Sequence, residues 1–208
     1  MFFLGFISVL GYTKWNQKSS TISSINPIQV NPTPILLSPP SQALQGKLFE
    51  SKGLIERIPW DVTTKVPATE GATLYQGDEV FTGLQSETII SVSQYASCLL
   101  KEKSDVLLGN LLPQSITIQH RSGIIQCTNE QPLTLRLPNL LLDMNTGAVQ
   151  STITSESVKV MIASGSATIG FVDTSNKTKI WRLQKSDSFI YDRDTNTLLT
   201  TGTLLSSD

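Results

Sequence analysis

The fold of this chain is decided by ATLYQGDEVFTGLQSETIISVSQYASCLLKEKSDVLL, residues 72–108. This stretch predicts a short strand, a turn at Gly77-Asp78, a second short strand, a turn at Thr82-Gly83 and two longer strands. Gly and Asp tolerate the positive φ angles of tight turns. Residues 87–93 alternate between polar and apolar, which is the period of a half-buried strand. Nothing in the stretch is equipped to catalyse, so we expect it to present a surface.

The chain from Gly46 onward continues this pattern of short strands. Ile116 and Ile118, for example, share one face of a predicted strand, and no stretch has the apolar spacing of a helix. Turn signals at 145–147, 164–165, 173–176 and 192–196 separate the predicted strands, which are 47–49, 53–58, 62–66, 115–120, 124–127, 133–137, 140–143, 148–153, 157–163, 167–172, 178–183, 188–191 and 197–200. We therefore expect an all-β domain of many short strands, built as a β-sandwich, a jelly roll or a stacked β-roll.

The composition argues against two classes of protein. Hydrophobic residues make up 39% of the 208 residues and charged residues 16%, which is typical of a folded protein rather than a disordered one. The formal net charge is −1, and no cluster of basic and aromatic residues is present. We therefore expect no nucleic-acid partner.

The N-terminus, residues 1–12, is the apolar run MFFLGFISVLGY, followed by Lys14, Trp15 and Lys18. The run is shorter than the ~20 residues that cross a bilayer. It suits a signal peptide or part of a membrane anchor, although no Lys or Arg precedes it and no small-residue cleavage site follows. Trp15 stands where an interfacial aromatic residue would lie. We predict an export or anchor segment over residues 1–18, the alternative being an element buried in the domain.

Residues 19–45 differ in character from the rest of the chain. They contain five prolines among many Ser and Asn residues, and proline disfavours both helix and regular sheet. Such a composition predicts a disordered, semi-extended linker. The linker would tether the β domain, residues 46–208, to the N-terminal segment.

The two cysteines, Cys98 and Cys127, lie on separate predicted strands. In an exported protein they could form a disulfide. Alternatively, both are buried thiols that act as small apolar residues. Two Cys and one His fall short of a structural zinc set, so we predict no metal site.

Catalytic groups are scarce in this sequence. His120 is the single histidine, and it ends a predicted strand beside a turn signal at Ser122-Gly123, so we expect it at the surface or at the strand end. The close carboxylate pairs, Asp78-Glu79 and Asp192 with Asp194, lie in turns, where Asp is favoured for its bonds to the backbone. No phosphate loop or nucleophile elbow is present. We predict that the protein is not an enzyme and needs no cofactor.

Two tryptophans, Trp60 and Trp181, stand beside charged residues. Exposed Trp residues are frequent contact anchors in protein interfaces. The alternative is that both cap the ends of the β core.

The turn-rich stretch resembles the signature of the FecR-type extracytoplasmic domain family. The residues that match are Leu74, Gly77-Asp78, Val80, Thr82-Gly83, Ser86, Ser97 and Leu99, with the strand at 104–108. A weaker resemblance continues to about Thr197, through 158–160, Gly165, Ala167 and Ile169. The sequence departs from the family at Gln94-Tyr95-Ala96, where an Asp-Gly turn is usual, and at Lys185-Ser186, where a Gly is usual.

The resemblance implies a non-enzymatic domain outside the cytoplasm that acts in binding, envelope sensing or signalling. The protein would be a stand-alone member without the cytoplasmic region that holds a sigma factor. It would be periplasmic or extracellular, anchored to the inner membrane or exported through its N-terminus, with an envelope protein or a cell-envelope polymer as partner. The outermost strands, predicted at 47–58 and 188–200, would offer unpaired edges to that partner.

Two alternatives remain open from the sequence. One is a lipid-carrying jelly roll similar to lipopolysaccharide-transport proteins, which needs an open apolar groove where a binding domain has a filled core. The other is a cell-wall hydrolase or lectin, which needs a cleft with clustered carboxylates or aromatic residues.

Overall fold

A computed structural model describes residues 40–173 and 175–207. The predicted export segment and the linker up to residue 39 lie outside these residues. Within them the chain first contacts the β domain at Leu44, which packs against the core and donates its N–H to the Leu111 carbonyl oxygen at 2.6 Å. This contact begins two residues before the predicted domain boundary.

The described residues form an all-β fold, which confirms the predicted fold class. They contain no helix, and so none long and apolar enough to cross a membrane. The strands are β1 (Gly46–Lys52), β2 (Ile55–Ile58), β3 (Val66–Pro67), β4 (Thr73–Leu74), β5 (Glu79–Thr82), β6 (Glu87–Val92), β7 (Ala96–Leu100), β8 (Asp105–Leu112), β9 (Ser115–Asn129), β10 (Leu133–Leu137), β11 (Leu140–Ile153), β12 (Ser157–Val172), β13 (Thr178–Gln184), β14 (Ser188–Asp192), β15 (Leu198–Thr200) and β16 (Thr203–Ser207).

All of these strands belong to one hydrogen-bonded sheet that divides into two parts. Three long strands, β9, β11 and β12, bend near their middles and contribute one segment to each part. Half-sheet 1 has the order β4-β1-β6-β7-β9-β11-β12-β14-β15. Half-sheet 2 has the order β3-β2-β5-β8-β9-β10-β11-β12-β13-β16.

At three positions where the sequence predicts that a strand ends, the structure has a bend within a continuous strand. Gly123, Gly147 and Gly165 have φ angles of 87°, 142° and 77°, and each lies inside a continuous strand. Gly147 is paired with Gly165, so β11 and β12 bend together and stay hydrogen-bonded. The predicted turns at 122–123, 145–147 and 164–165 were therefore wrong as strand ends. The glycines change the direction of the strands without ending them.

The core lies between the two half-sheets. Side chains alternate between buried and accessible along most strands, and the buried apolar residues form one cluster. Phe171 of half-sheet 2 contacts Phe189 and Tyr191 of half-sheet 1, with ring centroids 6.1 Å and 5.9 Å apart. Because no helix covers the apolar face in the described residues, the sheet covers that face by folding over itself, as in a sandwich.

Two predicted ranges differ from the structure. The strand expected at 62–66 was wrong over most of its length, because only Val66 and Pro67 pair with a neighbouring strand. Residues 61–65 are exposed instead, and Lys65 reaches back over the ring of Phe81 on β5, 3.5 Å from its centroid. The sequence reasoning also missed β16, whose LLSS segment follows Gly202 without an alternating pattern.

Candidate functional site

The first turn of the family-type motif is built around Gly77. Its φ angle is 93°, and its N–H donates to the Leu108 carbonyl oxygen at 2.7 Å. A Cβ atom at this position would lie 2.8 Å from the Cβ of Trp60. The turn therefore needs glycine for two reasons, a left-handed backbone and the close approach of Trp60.

Asp78 is a buried carboxylate that ties three chain segments together. Its Oδ1 accepts the N–H of Trp60 at 2.9 Å, and its Oδ2 accepts the N–H of Tyr75 at 3.0 Å. The Arg57 guanidinium lies 3.5 Å from Oδ2. Burial raises the pKa of Asp78, and the two backbone N–H groups and Arg57 oppose that rise. This carboxylate is fully occupied as a structural acceptor.

Thr82 and Gly83 organise the second turn. The Thr82 hydroxyl donates to the Lys101 carbonyl oxygen at 2.5 Å and accepts the Ser104 N–H at 2.9 Å. Gly83 does not have the positive φ angle that the sequence predicts, so that expectation was wrong. A Cβ atom on Gly83 would lie 3.1 Å from the Cβ of Leu54, which lies between β1 and β2. The close approach of Leu54 therefore explains the glycine at position 83. The motif residues form a scaffold with no reactive group exposed.

Cys98 and Cys127 are joined by a disulfide. They are directly opposite each other on β7 and β9, with their Cα atoms 4.1 Å apart, and both side chains are 1% exposed. The bond therefore links neighbouring strands of half-sheet 1 on the core side.

His120 lies in the core, so its expected place at the surface was wrong. Its Nδ1 is 2.6 Å from the Oγ of Ser151, and its Nε2 is 2.8 Å from the Ser122 carbonyl oxygen. Burial lowers the pKa of His120 to about 4. Polar residues around 120 suggested a surface position, but the strand continues through the bend and turns this side chain inward.

Trp60 and Trp181 are partly buried rather than free on the surface. Trp60 packs over the Gly77 turn. Trp181 packs against the core, and its buried Nε1 has no hydrogen-bond partner among the residues that the structure describes. Their positions fit caps of the β core better than contact anchors.

The carboxylate pairs expected from sequence do not come together as catalytic pairs. Asp78 is engaged as described, and Asp192 accepts the N–H groups of Asp194 and Thr195, which lower its pKa. A different pair forms across strands, between Glu79 of β5 and Asp105 of β8. Burial, together with the Glu79 charge, raises the pKa of Asp105 to about 6. Sequence reasoning missed this pair because only the strand register brings its members together.

The unpaired edges of the sheet are at β3 and β4 on one side and at β15 and β16 on the other. The prediction placed edges at 47–58 and 188–200. It was right for β15 and for the part of β1 from Phe49 to Lys52, beside which β4 does not extend, but β2 and β14 each have a neighbour on both sides. Of the four outermost strands, β16 is the longest, and its Leu204 and Leu205 are exposed. An edge strand of this kind offers a row of unpaired backbone donors and acceptors.

Comparison with known proteins shows the fold. No family model and no curated protein matches the sequence. Two crystal structures of a protein from Parabacteroides distasonis ATCC 8503, described as a "putative anti-sigma factor", match with a TM-score of 0.53. They are 10% and 9% identical in sequence, and each match covers 60% of this chain and 59% of theirs. The chain thus shares its β architecture with part of those proteins.

Proposed function

We propose that this protein is a non-enzymatic, extracytoplasmic FecR-like β domain that acts in envelope sensing or signalling by binding a protein partner. The observation that carries the proposal is the fold it shares with the Parabacteroides anti-sigma-factor structures. The residues of the FecR-type motif support it, because Gly77, Asp78 and Thr82 each have a structural role in the two turns.

The disulfide supports a location outside the cytoplasm. Disulfides persist in oxidising compartments such as the bacterial periplasm and are rare in the reducing cytosol. Cys98 and Cys127 occupy directly opposite positions and are bonded in the folded domain. We propose that the domain is periplasmic or extracellular and is held at the inner membrane, or exported, by residues 1–18.

The packing of the interior favours a binding domain over a lipid carrier. A carrier needs an open apolar groove between its sheets, whereas here the inward side chains of both half-sheets form one buried cluster. The contact of Phe171 with Phe189 and Tyr191 closes the space between the half-sheets. The protein would therefore use its outer surface.

Site-specific photo-crosslinking in the bacterial envelope tests this function. A photo-reactive residue replaces Leu205 on the edge strand β16 of the full chain, and in the control it replaces Leu84, which lies in the loop between β5 and β6. Leu205 is 47% exposed and Leu84 69%, so exposure does not favour the test position. We expect one envelope protein to crosslink at Leu205 and not at Leu84.

Two results would count against the proposal. Crosslinking to lipid or glycan alone would favour a carrier or a wall-binding protein. Hydrolysis of a glycan or peptide by the purified chain, abolished by changing one Asp or Glu, would make the protein an enzyme.

A further inference from the structure

Gly170 lies near the end of β12 but is still paired on both sides, and neither backbone conformation nor crowding requires a glycine there. Its φ angle is outside the left-handed region, and the nearest atom to a Cβ built there is the Lys179 carbonyl oxygen, at 4.0 Å. The pairing of Gly170 with Leu141 and Ile180 continues without a bulge. Glycine weakens a strand interior, and one that serves neither a bulge nor a bend often marks the close approach of another molecule.

The missing side chain leaves a notch in the outer face of half-sheet 2. Leu141 and Ile180 border the notch on the neighbouring strands, and Thr168 and Val172 border it along β12. Leu141 is 42% exposed and Val172 57%, so its apolar walls are open to solvent. The depression around the notch has a volume of about 600 Å³, within the ~300–1,000 Å³ range of ligand pockets.

Two arginines stand beside these apolar walls. Arg136 is paired with Leu141, and Arg182 is paired with Thr168. Both are exposed, and neither forms a salt bridge within the described residues. One carboxylate, that of Asp143, also lines the depression, and it accepts the hydroxyl of Thr134 at 2.6 Å. The depression therefore has an apolar centre with Arg136 in its lining, and Arg182, which lines the neighbouring depression, stands diagonal to Gly170; both guanidinium groups can bind carboxylates.

We propose that this notch binds a protein segment in which one apolar side chain is flanked by carboxylates. The apolar side chain fills the space above Gly170, and the carboxylates pair with Arg136 and Arg182. The notch is shallow, because Leu142 and Ile169 beneath it are fully buried in the filled core, and so it suits one side chain better than a long acyl chain. The inference rests on the proposed function and names the surface that binds the partner.

The probes are three synthetic heptapeptides with blocked ends. The first, Thr-Glu-Thr-Leu-Thr-Glu-Thr, has the proposed chemistry. The second has Lys in place of both Glu residues, and the third has Ser in place of Leu. Binding to the isotope-labelled full chain is followed through the backbone amide signals of Leu141, Gly170 and Ile180. We expect saturable shifts of these signals with the first peptide and at least tenfold weaker binding of the other two.

Gly170→Val is the decisive variant. A side chain at this position meets no crowding, and Val is favoured in strands, so the melting temperature should stay the same or rise. The variant should nevertheless lose binding of the first peptide. Gly109→Ala is the matched control, because it adds a methyl group to another strand of half-sheet 2 with ordinary contacts, 3.4 Å from the Thr117 carbonyl oxygen. If Gly170→Val lowers the melting temperature, Gly170→Ala, with a single methyl group, replaces it.

Three results would overturn the proposal: no shift with the first peptide, shifts confined to other residues, or equal binding by wild type and Gly170→Val. Stronger shifts of the same amides with phosphatidylglycerol vesicles than with the peptide would assign the notch to lipid. The photo-crosslinking experiment distinguishes a failure of the notch proposal from a failure of the proposed function. A protein partner that crosslinks equally well to wild type and Gly170→Val excludes the notch and leaves the binding function intact.

Discussion

His120 and Ser151 join the two half-sheets through a buried hydrogen bond of 2.6 Å between Nδ1 and Oγ. His120 belongs to the first segment of β9, in half-sheet 2, and Ser151 to the second segment of β11, in half-sheet 1. The folded state holds the imidazole neutral, because burial lowers its pKa to about 4.

The first prediction concerns acid stability through His120. The unfolded chain has the ordinary histidine pKa of about 6.5, so between pH 6.5 and 4 the unfolded state binds a proton that the folded state does not. The contribution of this group should be present above pH 6.5 and fall by about 3 kcal/mol as the pH drops to 4. The difference in unfolding free energy between wild type and His120→Gln, measured by urea unfolding at several pH values, should fall by this amount between pH 6.5 and 4. Equal pH dependence in both proteins would contradict it.

Asp105 should make the stability of the folded state decrease as the pH rises, the opposite of the effect of His120, over nearly the same pH range. Its folded pKa is raised to about 6, above the unfolded value of 3.8, so the folded state binds the additional proton. The stability from this group is present below pH 3.8 and is lost as the pH rises through 6. Asp105→Asn, which keeps a donor toward Glu79, should remove this loss and be relatively more stable at pH 7 than at pH 4. Wild type, with both groups, should show a flatter profile than either variant.

Gly77→Ala should destabilise the domain by about 1–3 kcal/mol, because a side chain there adds backbone strain and a close contact with Trp60. Gly71→Ala is the matched control. Its φ angle of 80° is similar, but nothing lies within 4 Å of the added Cβ, so only the backbone strain remains. Denaturant midpoints should place Gly77→Ala well below Gly71→Ala. Equal denaturant midpoints for the two variants would show that Trp60 moves away from the added methyl group without a loss of stability.

Removal of the disulfide should cost stability without changing the fold. Cys98 and Cys127 are 29 residues apart in sequence, and a loop of that size corresponds to about 3–4 kcal/mol of unfolded-state entropy. The double variant Cys98→Ala/Cys127→Ala should unfold at lower denaturant with an unchanged circular dichroism spectrum. The folded wild type should also resist a mild reductant, because both cysteines are buried. Rapid reduction without denaturant would contradict their burial.

Ser186→Gly should stabilise the protein. Lys185-Ser186 stands where the FecR-type family, which the sequence resembles, usually has a glycine, and of these two residues Ser186 has the positive φ angle, 72°. A left-handed conformation costs an L-residue about 1–2 kcal/mol, and glycine does not have this cost. Glycine loses more conformational entropy on folding, which offsets about 0.5–1 kcal/mol of the gain. The bond from the Ser186 N–H to the Ile162 carbonyl oxygen, 2.8 Å long, is retained. A rise in melting temperature is expected for Ser186→Gly and not for Lys185→Gly, which lacks the positive φ angle.

The sequence predicted the strands better than their arrangement. Alternation along residues 87–92 and 133–137 was enough to identify β6 and β10, because each strand has one face in the core. The bends were not predictable, since Gly147 continues β11 only because Gly165 bends at the paired position of β12. His120, the Glu79–Asp105 pair and the Gly170 notch depend on register between strands far apart in sequence. Such contacts leave no local signal.

The three bent strands make the domain a continuous mechanical element. A pulling force applied to β16 passes through β13 to the second segment of β12, and along that same covalent backbone into the first segment, beside β14. The half-sheets cannot slide apart as independent layers without breaking the ladders along β9, β11 and β12. A force on one outer edge would therefore reach the whole domain as tension along these strands.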